Sequence, residues 1–206
     1  MGPDVDRNLR PRALVQWLRG AKRQDVALRL AVPLLLVRLD DPEGELAQAL
    51  DQGMAAAGTV VEPGMGFHTV SVDRHAARKP SLPPSPSFGP EQLATRVVRA
   101  AHFVLPIGKR PDAAKPFAER VSVGRARNND LVLRHVGVSK FHAWFGRDHE
   151  DAYYVSDASS HNGTFVNGVG LDGGAPVRVR DGDVIRFGGV DAIFCAAAIL
   201  HAALRD

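Results

Sequence analysis

The chain has 206 residues, enough for one or two domains, and its 45% hydrophobic and 24% charged content excludes wholesale disorder. Its longest apolar runs, Ala192–Leu200 and Ala31–Val37, fall well short of the roughly 18 residues a membrane span needs. A secretory leader is not expected either, because Gln16 and Arg19 interrupt the apolar stretch after Arg7, Arg10 and Arg12. The single cysteine, Cys195, excludes a disulfide framework and a cysteine-based zinc knuckle, so a soluble cytoplasmic chain without membrane contact is expected. The net charge of +3 divides unevenly: 16 basic against 12 acidic residues up to residue 116, and 10 against 11 after it. Neither half carries the concentrated basic stripe of a nucleic-acid binder, and no nucleic-acid partner is expected.

In chain order, Pro11–Leu30 reads as a helix with Leu14, Trp17, Leu18 and Ala21 on one face. Pro33–Leu39 is an apolar run of strand length. Glu43–Ala57 reads as a second helix (Leu46, Ala49, Leu50, Met54), and Phe67–Val72 alternates like a short strand. Together they suggest a small α+β segment over residues 1–72, to which no function is assigned. His68 and His75 have no acidic or cysteine partner at ligand spacing, so neither a metal nor a cofactor is expected there. Residues 73–92 hold Pro80, Pro83, Pro84, Pro86 and Pro90 among Ser81, Ser85 and Ser87, the composition of a semi-rigid linker. A chain beginning near Glu91 is therefore expected to fold by itself, as a domain over 93–206.

A leading helix is expected over Pro90–Ala101, and then the pattern changes. Short apolar stretches recur at Phe103–Ile107, Arg120–Val123, Leu131–Leu133, Ala143–Phe145, Tyr153–Val155, Thr164–Val166, Val177–Val179, Val184–Phe187 and Ala192–Cys195. Turn signals separate them, among them Asn162-Gly163, Asn167-Gly168, Asp181-Gly182 and Gly188-Gly189. Many short strands at regular spacing predict an all-β antiparallel sandwich or barrel. A short helix over Ala196–Leu204 is expected to shield the edge of that sandwich.

Four motifs lie in order within this region. They are Val123-Gly124-Arg125 with Asn129-Asp130-Leu131; Val138-Ser139-Lys140-Phe141-His142-Ala143; Asp157-x-x-Ser160-His161-Asn162-Gly163-Thr164 running on to Asn167-Gly168; and Asp181-Gly182-Asp183-x-Ile185-x-Phe187-Gly188. In this combination residues 101–197 resemble a forkhead-associated (FHA) domain, a β-sandwich family that recognises phosphothreonine in partner proteins. The resemblance implies an adaptor that docks on a threonine-phosphorylated protein or peptide, such as a Ser/Thr kinase or its substrate.

The residue chemistry suits that ligand. A phosphothreonine brings about −1.5 to −2 charges and three acceptor oxygens. Arg125 offers a permanent planar fork of donors, Ser139 a hydroxyl, and Lys140 a mobile positive charge. The Asn162 amide can donate to and accept from a peptide main chain. By resemblance, Arg125 and Ser139 match the family's phosphate contacts and Asn162 its main-chain clamp. Gly124, His142, Gly163 and Asn167 match residues that brace the binding loops. His161 stands where the family commonly has threonine, and Lys140 where arginine is more frequent. If the His161 imidazole reaches the phosphate, its protonation adds a donor and binding strengthens as pH falls; if it faces solvent, no such dependence follows.

Two other readings compete. An FHA fold could act as a scaffold without phosphate recognition, although a silent site has no need of Arg125, Ser139 and Asn162 together. Ser139, His142 and Asp157 could form a hydrolase triad, but no Gly-x-Ser-x-Gly elbow is present, and a serine and histidine three apart in one loop are poorly disposed to share a proton.

Overall fold

The structure is a computed structural model and describes residues 11–38, 92, 102–109 and 119–204. Eleven strands form two sheets. In chain order they are β1 (Leu34–Arg38), β2 (His102–Pro106), β3 (Val121–Gly124), β4 (Leu131–Val132), β5 (Ala143–Arg147), β6 (Tyr153–Asp157), β7 (Thr164–Val166), β8 (Val169–Gly170), β9 (Val177–Arg178), β10 (Val184–Phe187) and β11 (Val190–Cys195). One sheet runs β2-β1-β11-β10-β7-β8 and the other β4-β3-β5-β6-β9. Pairing is antiparallel except between β3 and β4, which run parallel. This is the FHA-type β-sandwich that the strand pattern and motifs anticipate.

The core between the sheets takes alternate residues of each strand: Leu35 and Val37 of β1, Phe103 and Leu105 of β2, Val123 of β3, Phe145 of β5, Val155 of β6, Ile185 and Phe187 of β10, and Ala192 and Phe194 of β11. Phe145 contacts both Phe187 and Phe194 through its ring. The six-stranded sheet is also covered on its outer face. There Leu34, Leu36, Val104, Ile193 and Cys195 pack under α1 (Pro11–Gly20), α2 (Arg23–Arg29) and α3 (Ala197–Ala203), which supply Leu18, Val26, Ala197 and Leu200. A strand buried on both faces is apolar at consecutive positions, which accounts for the unbroken run in β1.

The expected single helix over Pro11–Leu30 is broken at Gly20, where the chain re-enters helix after the extended Lys22. The His201 imidazole closes the break, its Nε2 donating to the Ala21 carbonyl at 2.8 Å from a buried position on α3. A helix leaves its last carbonyls without intrahelical donors, so this bond satisfies one of them. The C-terminal helix occurs as expected but covers a sheet face rather than an edge.

The larger difference concerns domain boundaries. The reading of residues 1–72 as a layer apart from the sandwich does not hold for the residues described. β1 lies inside the six-stranded sheet, with Leu34 opposite Cys195 on one side and opposite Pro106 on the other. The expected helix over Glu43–Ala57, the strand at Phe67–Val72, His68 and His75 lie outside the described residues. So does the proline-rich segment over 73–92, save Gln92, which is helical. No helix among the described residues is long and apolar enough to cross a membrane.

Two predictions follow from these contacts. A chain starting at Glu91 loses β1, which separates β11 from β2, and with it four fully buried side chains, Leu34 to Val37. At about 2–5 kcal/mol for each large buried aliphatic group removed, the loss is as large as the usual margin of about 5–15 kcal/mol. Circular dichroism and thermal melting of that truncation should therefore show no cooperative unfolding; a cooperative native-like melt would overturn the assignment of β1 to the sandwich. Separately, burial pushes the Cys195 thiol up to about 12, with the Asp181 charge adding to it. The thiolate is the reactive form. Cys195 should resist a thiol reagent at about pH 8 in the native protein and react only after unfolding, as mass spectrometry would report.

Candidate functional site

The strand registers bring one set of loops together. β3 ends where β5 begins (Val123 opposite Ala143), and β6 ends there as well (Ala143 opposite Asp157). On the facing sheet β10 ends where β7 begins, with Phe187 opposite Thr164. The segments 125–130, 133–142, 158–163 and the Gly188-Gly189 turn consequently share one end of the sandwich. The bidentate pair of Arg186 with Asp191 (2.5 and 2.9 Å) stiffens the last of these hairpins.

His142 joins three of the four segments. It is fully buried, and its Nδ1 accepts a hydrogen bond from the Ser139 amide at 2.9 Å. A neutral imidazole has one donor and one acceptor nitrogen, so Nε2 carries the proton. It lies 3.1 Å from the Gly163 carbonyl and donates to it. The same carbonyl accepts from the Gly188 amide at 2.9 Å. The ring also meets Phe187 edge-on, with centroids 6.0 Å apart, which ties the loop junction to the core.

Arg125 follows β3 directly, half-buried, and its amide donates to the Ser139 carbonyl at 3.0 Å. Lys140 is exposed beside it, and its carbonyl accepts from the Ala126 amide at 3.2 Å and from Asn129 Nδ2 at 2.6 Å. Gly124 is required by this approach. A Cβ there would collide with the Lys140 carbonyl and stand 2.8 Å from Asn129 Nδ2. Gly188 is required for a related reason, since φ is 59° and a Cβ would strike the Gly137 carbonyl.

Ser139 Oγ accepts from the His161 amide at 3.0 Å. That bond sets the hydroxyl's rotamer and uses it as an acceptor, leaving its proton available to a ligand. The His161 side chain is exposed on the same rim. Asn162 is exposed too, and its Nδ2 donates to the Gly137 carbonyl at 2.9 Å, which orients the amide and leaves Oδ1 as an acceptor. Thus Arg125, Ser139, Lys140, His161 and Asn162 come to one rim, with Gly124, His142 and Gly163 beneath it.

Asn167 does not join them. It lies at the far end of β7, where Nδ2 donates to Asp183 Oδ1 at 2.8 Å and Oδ1 accepts from the Val184 amide at 2.9 Å. Its positive φ of 51° suits the β7–β8 turn. The side chain braces that hairpin against β10 rather than a rim loop.

Two supporting residues carry roles that the motif reading did not assign. Buried Asp157 accepts from the Ser160 amide at 3.0 Å, from the Ser160 hydroxyl, and from Thr164 Oγ1 at 2.7 Å, so it shapes the 158–163 loop from within. An Asp whose carboxylate takes the amide three residues on is a recognisable turn signature, and Asp157-x-x-Ser160 displays it. Asn129 spends both amide protons on the Ala126 and Lys140 carbonyls. These bonds also dispose of the triad geometry. Asp157 bonds Ser160 and Thr164, and the His142 nitrogens face the Ser139 amide and the Gly163 carbonyl.

A family model for the FHA domain matches residues 121–188. This part of the chain is an FHA domain. Strands β1, β2 and β11 extend its sheet beyond the matched residues. Among curated proteins, the ABC transporter ATP-binding/permease protein Rv1747 of Mycobacterium tuberculosis is 34% identical over 122 residues, covering 57% of this chain and 13% of that protein. The FHA domain-containing protein PS1 of Arabidopsis thaliana is 34% identical over 77 residues, covering 37% of this chain and 5% of its own length. The chain spans only a small part of these relatives. Among solved structures, Mycobacterium tuberculosis EmbR in complex with a low-affinity phosphopeptide is 26% identical, with 48% of this chain and 23% of that one covered at a TM-score of 0.37. The MEK1 FHA domain in complex with the HOP1 pThr318 peptide is 28% identical, with 45% and 87% covered at 0.36.

His142→Ala should cost the FHA domain about 3–5 kcal/mol. It leaves the Ser139 amide without its acceptor and the Gly163 carbonyl short of one donor, at about 1–3 kcal/mol each, and opens a cavity besides. Urea denaturation measures this directly; a loss below about 1 kcal/mol, the net value of one ordinary hydrogen bond, would mean the imidazole does not clasp the loops.

Proposed function

We propose that this rim binds phosphothreonine peptides, and that the chain is a binding module rather than an enzyme, serving as an adaptor in serine/threonine-kinase signalling. The observation that carries the reading is the state of Ser139. Its hydroxyl oxygen accepts from the His161 amide, which leaves its proton available to a ligand, and the backbone of Arg125 is bonded to Ser139 itself. A charged fork and a pre-set hydroxyl on two coupled loops suit a phosphate dianion, because the donors are ordered before the ligand arrives. Asn162 is the main-chain clamp, its amide oriented by Gly137. Lys140 and His161 stand exposed on either side and supply contacts that are less constrained.

The ligand is a threonine-phosphorylated protein, either a Ser/Thr kinase or a kinase substrate, and the encounter is cytoplasmic because kinases draw on ATP. The MEK1 FHA domain is named in complex with a phosphothreonine peptide and EmbR with a phosphopeptide, and the family model supports proposing the same chemistry here. Selectivity falls to the rim between Arg134 and Val138 and to the Gly188-Gly189 turn, where Val136 is 91% exposed.

Arg125→Ala should weaken binding of a phosphothreonine peptide by about 10²-fold or more, since charge-assisted hydrogen bonds are worth about 1.5–3 kcal/mol each. The same variant should keep the wild-type melting curve. Calorimetric titration with matched phosphorylated and unphosphorylated peptides decides the matter. Equal affinity for the two peptides would favour a phosphate-independent scaffold, and unchanged affinity in folded Arg125→Ala would remove the phosphate from this rim.

A further inference from the structure

The charge of the C-terminal half is distributed in a way that one phosphate does not account for. From residue 117 onward the chain is net −1, yet residues 125–140 contain Arg125, Arg127, Arg134 and Lys140 against a single acid, Asp130. That acid is turned inward. Its side chain is fully buried, and one carboxylate oxygen takes hydrogen bonds from the Ser122 amide and hydroxyl at 2.8 Å each and from Lys109 at 3.4 Å. The rim therefore presents four cations on two loops while its carboxylate is spent beneath them.

Backbone bonds hold those two loops in register. The Leu133 amide donates to the Gly124 carbonyl at 3.0 Å, so Arg134 leaves the sheet beside the point where Arg125 does. The Ala126 amide donates to the Lys140 carbonyl, which sets Arg127 at the exposed turn that follows. Arg134 is half-buried. Its pKa is lowered first by that burial and then by the charge of Arg127, so the two guanidiniums sense one another. An anion lying against both loops would therefore meet two guanidinium forks.

We infer that the ligand carries a second anionic group close to its phosphothreonine, and that Arg127 and Arg134 hold it. The inference rests on the proposed phosphothreonine reading of Arg125 and Ser139 and extends it to the class of peptide selected. Arginine suits the task, because its fork binds carboxylate and phosphate oxygens two at a time. The second group is a phosphate or an acidic side chain. The two share this chemistry and differ in charge, about −1.5 to −2 against −1.

The test uses the full chain and a phosphothreonine peptide with neutral flanks. A single glutamate or a single phosphoserine is moved through each position from three before the phosphothreonine to three after it. At one or two adjacent positions the second anion should tighten binding on the order of tenfold, as a partly screened charge-assisted pair would. That gain, taken as a ratio of two dissociation constants within one protein, should fall to about one in Arg127→Ala/Arg134→Ala and shrink as salt rises. A markedly larger gain from phosphoserine than from glutamate identifies the second group as phosphate, and equal gains identify a carboxylate. Melting curves of the double variant exclude misfolding.

No gain at any position, or a gain that survives the double substitution, would overturn the inference while Arg125-dependent binding of the singly phosphorylated peptide leaves the underlying reading standing. If the singly phosphorylated peptide fails to bind in an Arg125-dependent way, that reading falls and the inference falls with it.

Discussion

His142 is excluded from solvent, so both of its ring nitrogens must find partners within the protein, and the partners it finds belong to two different loops. One nitrogen accepts from Ser139 and the other donates to Gly163, which fixes the neutral tautomer and the spacing between the loops. The bonds around it follow from that spacing. Gly163 receives Gly188 from the opposite hairpin, Ser139 receives His161, and Asn162 reaches Gly137. The Ser139 hydroxyl and the Asn162 amide are each held by a bond to another member of the rim, and the loops that carry them are anchored to the core through the contact of His142 with Phe187. A site of this kind is ordered before its ligand arrives, which lowers the entropic cost of binding.

A second constraint acts on the six-stranded sheet. Its strands β1, β2 and β11 are buried on both faces, between the sheets on one side and under three short helices on the other. Helices of seven to ten residues are marginal alone, and here they persist because Leu18, Val26 and Leu200 have an apolar sheet to cover. The N-terminal part of the chain is thus built into the domain, and His201 joins both ends of the chain by bonding to Ala21. The rim lies at one end of the sandwich and the helices on one face of it, so the polar loops are left to their own hydrogen bonds.

Charge is managed with the same economy. Asp130 and Asp157 are the acids nearest the rim loops, and both are withdrawn from solvent into hydrogen bonds with neighbouring hydroxyls and amides. They order the loops through these bonds, with Arg127 and Lys140 exposed outside. The cationic rim is thus a local feature of one end of the sandwich, set by residues 125–140, and the proposed anionic ligand needs that local field.

The sequence by itself determined the strand pattern, the turns and most of the rim. Period-two alternation, Asn-Gly and Gly-Gly pairs, and the four motifs are local signals, because a strand's faces and a turn's φ angles depend on neighbours a few residues away. β7 and β10 therefore have the bounds the pattern predicts, and the motifs alone point to Arg125, Ser139 and Asn162 as site residues. Only the tertiary structure decided what is non-local. The apolar run at Pro33–Leu39 reads as a strand, but nothing near it indicates pairing with Cys195 across most of the chain, so local pattern alone places the segment in a separate layer. Asn167 had the residue type of a loop brace, yet its partners proved to be Asp183 and Val184 at the other end of β7. The identity of a side chain states which bonds it can form. Which of them it forms depends on what distant segments the fold brings within about 3 Å.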